Sequence, residues 1–328
     1  MHLHLRDGEM LHHIAKASAQ TFSGAIIMPN LVPPVSTKED VVAYKQRIME
    51  AIGDEKFKPY MTLFFKPDYS RAFLENVRDE ITAIKLYPAG ITTNSEGGVS
   101  GFDVEELRET LEAMSDLGIP LCVHGETNGF VMDREAEFVS IYERLAQAFP
   151  KLKIIMEHIT TKESVAALEK FENLYATITL HHLFITLDDV AGGMLQPHLF
   201  CKPIAKRPED REALLKVALE AHPKVMFGSD SAPHPKEAKE NCGCAAGVFT
   251  APIALQLLAQ LFENHGAPVE KLQAFLSENA RSIYGISPLN KQIVLTKEAF
   301  TVPSEYNGVV PMFANENIDY TVKEVLYG

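Results

Sequence analysis

His2 and His4 stand one residue apart at the start of this chain, and residues of metal-binding type recur at Lys85, His124, His158 and Asp230. Each closes a short apolar run. A His-x-His pair at a strand end puts both imidazoles on one face, because side chains alternate along a strand. Two imidazoles on one face can share a cation. Imidazole nitrogen and carboxylate oxygen suit zinc, and also manganese or cobalt. His2, His4, His124, His158 and Asp230 exceed what one open catalytic zinc needs, so a two-metal site with a bridging group is expected. Such a site points to metal-dependent hydrolysis.

Lys85 does not fit a cation site as an ammonium. Inside an apolar barrel and beside two dications, a third positive charge is strongly disfavoured. Burial and nearby cations both lower a lysine pKa and leave a neutral, nucleophilic amine. A neutral amine can add carbon dioxide and become a carbamate (N6-carboxylysine). That group is a carboxylate on a long stem, able to bridge two metals.

The elements that must position these residues follow a rhythm of strand, loop and helix. Strand-like runs fall at 24–30, 60–65, 81–88, 120–126, 153–160, 175–183 and 225–230. Several are continuously apolar, as in strands buried on both faces. Amphipathic stretches at 9–21, 38–51, 70–78, 104–117, 134–149, 162–171 and 208–221 predict helices between them. Ser36 or Thr37 is placed to cap the second helix, and Asp103 the fourth, with Glu106 completing a capping box. Gly118 falls at a helix C-cap. With the His-x-His segment the strands number eight, which predicts a closed (β/α)8 barrel of TIM type, 1–328 as a single domain. In that architecture the site lies at the C-terminal ends of the strands, where Asn30, Lys85, His124, His158 and Asp230 fall. Further helices are expected at 251–264 and 269–277, then a Pro- and Asn-bearing tail at 302–328 packed on the outside. Only Met1 precedes His2, so the first strand is expected to be truncated, with residues missing upstream.

Composition narrows the function classes. The net charge of −13 disfavours nucleic acid as a partner, since a phosphate backbone demands a basic surface. It does not exclude an anionic small substrate at a locally cationic site. No apolar run is long enough to span a bilayer and no signal-peptide pattern is present, so a cytoplasmic enzyme is expected. Four Cys in 328 residues do not make a disulfide framework, and Cys242-Gly243-Cys244 reads as a Gly-rich loop with incidental thiols. His181 and His182, read as the end of the seventh strand, are expected to be structural or to support the ligands.

Six segments together carry a closer resemblance: His2-Leu3-His4-Leu5-Arg6-Asp7, Met28-Pro29-Asn30, Lys85-Leu86-Tyr87-Pro88-Ala89, Val123-His124-Gly125-Glu126, Glu157-His158-Ile159-Thr160-Thr161 and Gly228-Ser229-Asp230-Ser231-Ala232-Pro233-His234. The chain resembles the dihydroorotases of the shorter bacterial type, within the amidohydrolase superfamily. The resemblance implies one metal on His2, His4 and Asp230, a second on His124 and His158, and carboxylated Lys85 bridging both, with zinc as the expected metal. It implies Arg6, Asn30 and His234 on the substrate carboxylate, and backbone groups of Lys202 and Ala245 on the pyrimidine ring. Thr92 and Thr93, in the loop 90–98, would close over the ligand. The implied reaction is reversible interconversion of dihydroorotate and N-carbamoyl-L-aspartate in pyrimidine biosynthesis. Its nucleophile would be a hydroxide held between the metals, with Asp230 as general acid and base. A homodimer is implied as well.

Taken singly, each of these residues has a plainer explanation. A barrel-end lysine can snorkel, a buried histidine can be a satisfied core residue, and an aspartate before Ser231 can cap a turn. Two other functions compete. A hydantoinase- or allantoinase-like enzyme would share the metal set without needing Arg6, Asn30 and His234 to converge on an acid. A metal-free scaffold of the same descent would be expected to have lost ligands.

Overall fold

The computed structural model describes residues 1–328. Eight short parallel strands run in sequence order: β1 (His2–Leu3), β2 (Gly24–Ile27), β3 (Lys58–Phe64), β4 (Ala83–Leu86), β5 (Leu121–Val123), β6 (Ile154–Met156), β7 (Leu174–Ile178) and β8 (Val225–Phe227). The ring closes between β8 and β1 just beyond the strands. Asp230 N donates to His2 O at 2.8 Å, and His4 N donates to Ser231 O at 3.3 Å. Met1 begins the ladder, its carbonyl accepting from Ile26 N at 2.8 Å and its ammonium donating to Phe227 O. The two-residue β1 therefore holds a full place in the barrel, in register with Ile26 and Ile27. This is the (β/α)8 barrel that the strand–helix rhythm predicts.

The pleat sorts the strand residues. Ile84, Leu121, Val123, Ile154, Met156, Val225 and Phe227 join the large outer core beneath the helices. Ala83, Cys122, Ile155 and Met226 form a separate cluster inside the barrel, where Ala280 and Ile283 plug its floor. Two residues further along β4 and β5, the same inward face presents Lys85 and His124. Inward layers of side chains fill such a barrel, and the top layer here is polar.

Helix caps follow local chemistry. Thr37 caps the helix Lys38–Ile52 through a reciprocal box with Asp40. Asp103 caps Val104–Leu117 by accepting from Glu105 N at 2.8 Å, without the return bond expected from Glu106. Gly118 ends that helix with φ 67°, in the left-handed region glycine tolerates.

The structure corrects three expectations. The strands are shorter than their apolar runs, because the last residues of each run leave the ladder to enter the site. His181 and His182 lie on a short helix, Leu180–Phe184, started by the cap Thr179, and not on β7. The tail carries a strand: β9 (Lys291–Thr301) and β10 (Asn317–Tyr327) pair antiparallel as a long hairpin, which packs on the helix Ala254–Asn264. Its strands are largely exposed and mixed in polarity, so the alternation that marks a half-buried strand is faint. The Pro- and Asn-bearing segment reads as a tail but is the connection between them. The helix expected at 269–277 is present and runs on to Tyr284, widening to π-type turns over Ala274–Glu278.

Candidate active site

At the C-terminal mouth of the barrel a narrow cavity is lined by His2, His4, Arg6, Asn30, Thr92, Thr93, His124, His158, Lys202 and Asp230. Tyr87, Ala232, Ala246 and Gly247 complete the wall. Lys85 lies beneath it, fully buried. Residues from nearly every strand end thus meet at one place.

Two groups of metal-binding atoms face one another there. His2 Nε2 and His4 Nε2 are 3.2 Å apart, and lie 3.4 Å and 3.2 Å from Asp230 Oδ1. His124 Nδ1 and His158 Nε2 are 3.1 Å apart. Two nitrogens on one tetrahedral zinc, each about 2.0–2.1 Å from it, lie about 3.3 Å apart. The donor pairs are therefore spaced as ligands to shared cations. The Lys85 Nζ has no hydrogen-bond partner, and rests 5.1 Å from the centre of the Tyr87 ring. An orphaned amine beside two converging donor pairs fits a group that is completed chemically. The residues present fit a two-metal centre.

The electrostatics agree. Burial drives the Lys85 amine below its ordinary pKa, against the nearby negative charge of Glu157 and Asp230. Burial also pushes the His4 imidazole down to about 4, and His158 well below the usual range. Both are neutral at pH 7, as ligands must be. Burial alone would raise the Asp230 carboxyl. The hydrogen bond to His4, with the imidazoles of His2 and His158 beside it, outweighs that and holds it well below the usual carboxylate range.

Backbone strain accompanies this convergence. Arg6, His158 and Asp230 have φ of 57°, 43° and 40°, a region that non-glycine residues seldom occupy. Glycine is demanded at Gly125, where a Cβ would come within 2.2 Å of the Tyr142 hydroxyl. That hydroxyl donates to Val123 O at 3.2 Å and fixes the end of β5.

Two carboxylates support the ligands, and neither is given a role by motif reading. Glu126 Oε2 accepts from His124 Nε2 at 2.7 Å, which leaves Nδ1 to face His158. Glu157 Oε2 lies 2.9 Å from His2 Nδ1, off the ideal hydrogen-bond direction, and accepts from Thr177 Oγ1 at 2.6 Å. Burial would raise Glu157, but the charge of His2 and its other partners bring it down to about 2. The signal was present as a carboxylate within two residues of each of His124 and His158. His182 uses both ring nitrogens, on Thr179 Oγ1 at 2.9 Å and Pro203 O at 3.0 Å. With Cys201 close by, it ties the 201–203 segment to the end of β7.

On the other side of the cavity, Arg6 Nε donates to Pro233 O at 3.0 Å and Nη2 lies 2.9 Å from His234 Nε2. The loop carrying Thr92 and Thr93 is folded down. Asn30 Nδ2 donates to Thr93 O at 2.9 Å, Asn94 Nδ2 to Asn30 O at 3.1 Å, and Lys202 Nζ to Ile91 O at 3.0 Å. Ala245 is placed differently from its expected position. Its N–H donates to Ala238 O and its carbonyl accepts from Lys239, each at 2.8 Å, while Ala246 and Gly247 face the cavity.

A barrel with this site is that of an amidohydrolase, and the family model described as "Amidohydrolase family" matches residues 1–291. The chain is 45% identical over 331 residues to the dihydroorotase of Helicobacter hepaticus, covering 99% of this chain and 96% of that one. It is similar to a solved dihydroorotase from Campylobacter jejuni, with 58% identity, TM-score 0.94, and coverage of 99% and 95%. It is also similar to the Saccharomyces cerevisiae dihydroorotase solved in complex with 5-fluoroorotic acid, with 32% identity, TM-score 0.92, and coverage of 100% and 96%. The chain belongs to the dihydroorotase family of metal-dependent amidohydrolases. It is an enzyme of the dihydroorotase type in pyrimidine metabolism. No helix is long and apolar enough to cross a membrane.

Proposed function

We propose that this single-domain chain interconverts dihydroorotate and N-carbamoyl-L-aspartate at the mouth of the barrel, with the residue roles that follow. The observation that carries the reading is the convergence of His2, His4, Asp230, His124 and His158 around an unpartnered Lys85, with Arg6 across the same cavity. His2, His4 and Asp230 would hold one divalent cation, most simply zinc, and His124 and His158 a second. The neutral Lys85 amine, adding carbon dioxide with loss of a proton, would stand between them as a carbamate. When bound, the cations supply a water of low pKa and polarise an amide carbonyl.

The chain's own groups do the rest. Arg6 pairs the substrate carboxylate through guanidinium N–H bonds not already spent on Pro233 and His234. Burial, then the Arg6 charge, push His234 down to about 3, so it meets that carboxylate as a neutral partner. Asn30 holds the loop bearing Thr92 and Thr93 over the cavity and excludes water. Backbone groups of Lys202 and Ala246 face the ring. Asp230, ionised at rest, takes the proton of the attacking water and delivers it to the departing ring nitrogen. Run backwards, the same transfers close the ring. We place the enzyme in the cytoplasm as a homodimer that takes a small anionic substrate and no nucleic acid.

The test is loss of dihydroorotate absorbance by holoenzyme, with metal counted per chain and intact mass measured for the added carbon dioxide on Lys85. Two ions, an added carboxyl and fast turnover are expected. Turnover confined to hydantoins, or full activity with unmodified Lys85, would overturn the assignment.

A further inference from the structure

Lys239 is nearly fully buried, in the short helix Lys236–Lys239 after β8. Its three N–H bonds all go to backbone carbonyls: Phe200 O at 2.9 Å, Ala245 O at 2.8 Å and Gly247 O at 2.7 Å. An ammonium has three donors and no acceptor, so this set uses it completely. The carbonyls come from two separate loops, one following β7 and one following β8. Gly247 N also donates to Phe200 O at 2.9 Å, which locks the two loops together.

The consequence lies on the far side of each peptide. A peptide unit is planar and trans, so its N–H points opposite to its C=O. With the Ala245 carbonyl pinned to Lys239, the N–H of Ala246 is turned the other way. Ala246 lines the cavity, and its N–H donates to no acceptor in the protein. Its carbonyl lies 2.9 Å from His234 Nε2. The next position admits only glycine, since a Cβ at Gly247 would lie 2.3 Å from Ala232 O. Burial lowers the Lys239 ammonium to about 8, with Cys244 and Cys201 opposing and Arg6 assisting, so it keeps its donors at neutral pH.

We infer that Lys239 is a positioning residue for the substrate: its ammonium sets the peptide planes of the 200–202 and 245–247 segments so that the free N–H of Ala246 faces the ring of a bound dihydropyrimidine. Lys239 touches neither metal ligands nor reacting atoms, so its loss weakens binding and leaves the chemistry at saturation. This rests on the cavity being the substrate site, as proposed above.

The test compares Lys239→Met and Lys239→Arg holoenzymes, using 5-fluoroorotate as a non-reacting probe together with kcat, KM and metal content. In Lys239→Met, Kd for the probe and KM should rise about ten-fold or more, with kcat and metal content nearly unchanged. Lys239→Arg, which keeps several donors, should recover most of the affinity. Unchanged Kd in Lys239→Met, or a fall in metal and kcat with KM constant, would overturn the inference. The wild-type enzyme provides an independent measurement should Lys239→Met not fold. Saturation with 5-fluoroorotate should slow hydrogen exchange of the Ala246 amide, and no change there overturns the inference equally. Failure of the wild type to bind the probe at all would strike the site reading instead.

Discussion

Replacing Glu126 by Gln tests how the second pair of histidines is held. The carboxylate accepts from His124 Nε2 at 2.7 Å, and both side chains are buried. That bond keeps the ring proton on Nε2 and leaves the Nδ1 lone pair beside His158 Nε2, 3.1 Å away. Burial would raise the Glu126 carboxyl, but the hydrogen bond and charge of His124, with Lys206 and Arg134, bring it below its usual pKa. Gln preserves the shape and loses the charge. It can also turn its amide nitrogen toward Nε2, which drives the proton to Nδ1 and blocks ligation. A buried charge-assisted hydrogen bond is worth about 1.5–3 kcal/mol. At about 1.4 kcal/mol per decade that weakens one metal by about 10–100-fold, the usual cost of losing a carboxylate behind a histidine ligand. Dialysis against graded chelator, with metal counted per chain, should show one ion leaving Glu126→Gln early while the ion on His2, His4 and Asp230 stays. Excess metal should restore much of the lost turnover. If both ions leave parent and variant at the same chelator concentration, the tautomer argument is wrong.

Four other outcomes follow from the geometry. Asp230→Asn, at a backbone φ that Asn tolerates, should keep substantial metal and lose about 10²–10⁴-fold in kcat, read by steady-state kinetics. Near-normal turnover would remove Asp230 from proton transfer. Arg6→Lys should raise KM strongly with metal content unchanged, because an ammonium lacks the planar fork that holds Pro233 O and still pairs a carboxylate through two parallel N–H bonds. Metal-stripped protein should lose stability as pH falls from about 6.5 toward 4, measured by urea denaturation at each pH. His4 and His181 are each depressed to about 4 by burial, so in that window the unfolded chain binds protons that the fold refuses. A flat profile would show that these rings have found other partners. Gly125→Ala should lower stability by about 1–3 kcal/mol by displacing the Tyr142 hydroxyl, and Tyr142→Phe in the same chain should recover part of it in thermal melts.

The barrel was legible because several of its strands are apolar on both faces and lead into a polar residue near their C-terminal ends, a pattern that composition alone does not produce. The hairpin at Lys291–Thr301 and Asn317–Tyr327 was not, since its half-exposed strands carry little alternation and their pairing is settled by the helix beneath. Glu126 and Glu157 were visible as residues but not as partners, because their work depends on which ring nitrogen of His124 or His2 they face. Ala246 lines the cavity beside the expected Ala245, because the turn of the loop decides which peptide faces inward.

His158 shows where pattern reading stops and the folded backbone takes over. On the inward face, Lys85 follows Ala83 and His124 follows Cys122 by the two-residue step of a pleated strand, and His4 follows His2 in the same way. On β6 that step from Ile155 leads to Glu157, which does point inward, toward His2 and Thr177. His158 is one residue further and by alternation belongs under the helices. Its φ of 43° breaks the pleat and swings the imidazole back to within 3.1 Å of His124. Such a conformation costs about 1–3 kcal/mol and persists only where its surroundings enforce it. Here Thr177 Oγ1 accepts from His158 N at 2.7 Å while donating to Glu157, so one hydroxyl braces both residues. That brace lets two consecutive residues, Glu157 behind His2 and His158 beside His124, serve opposite halves of the same site.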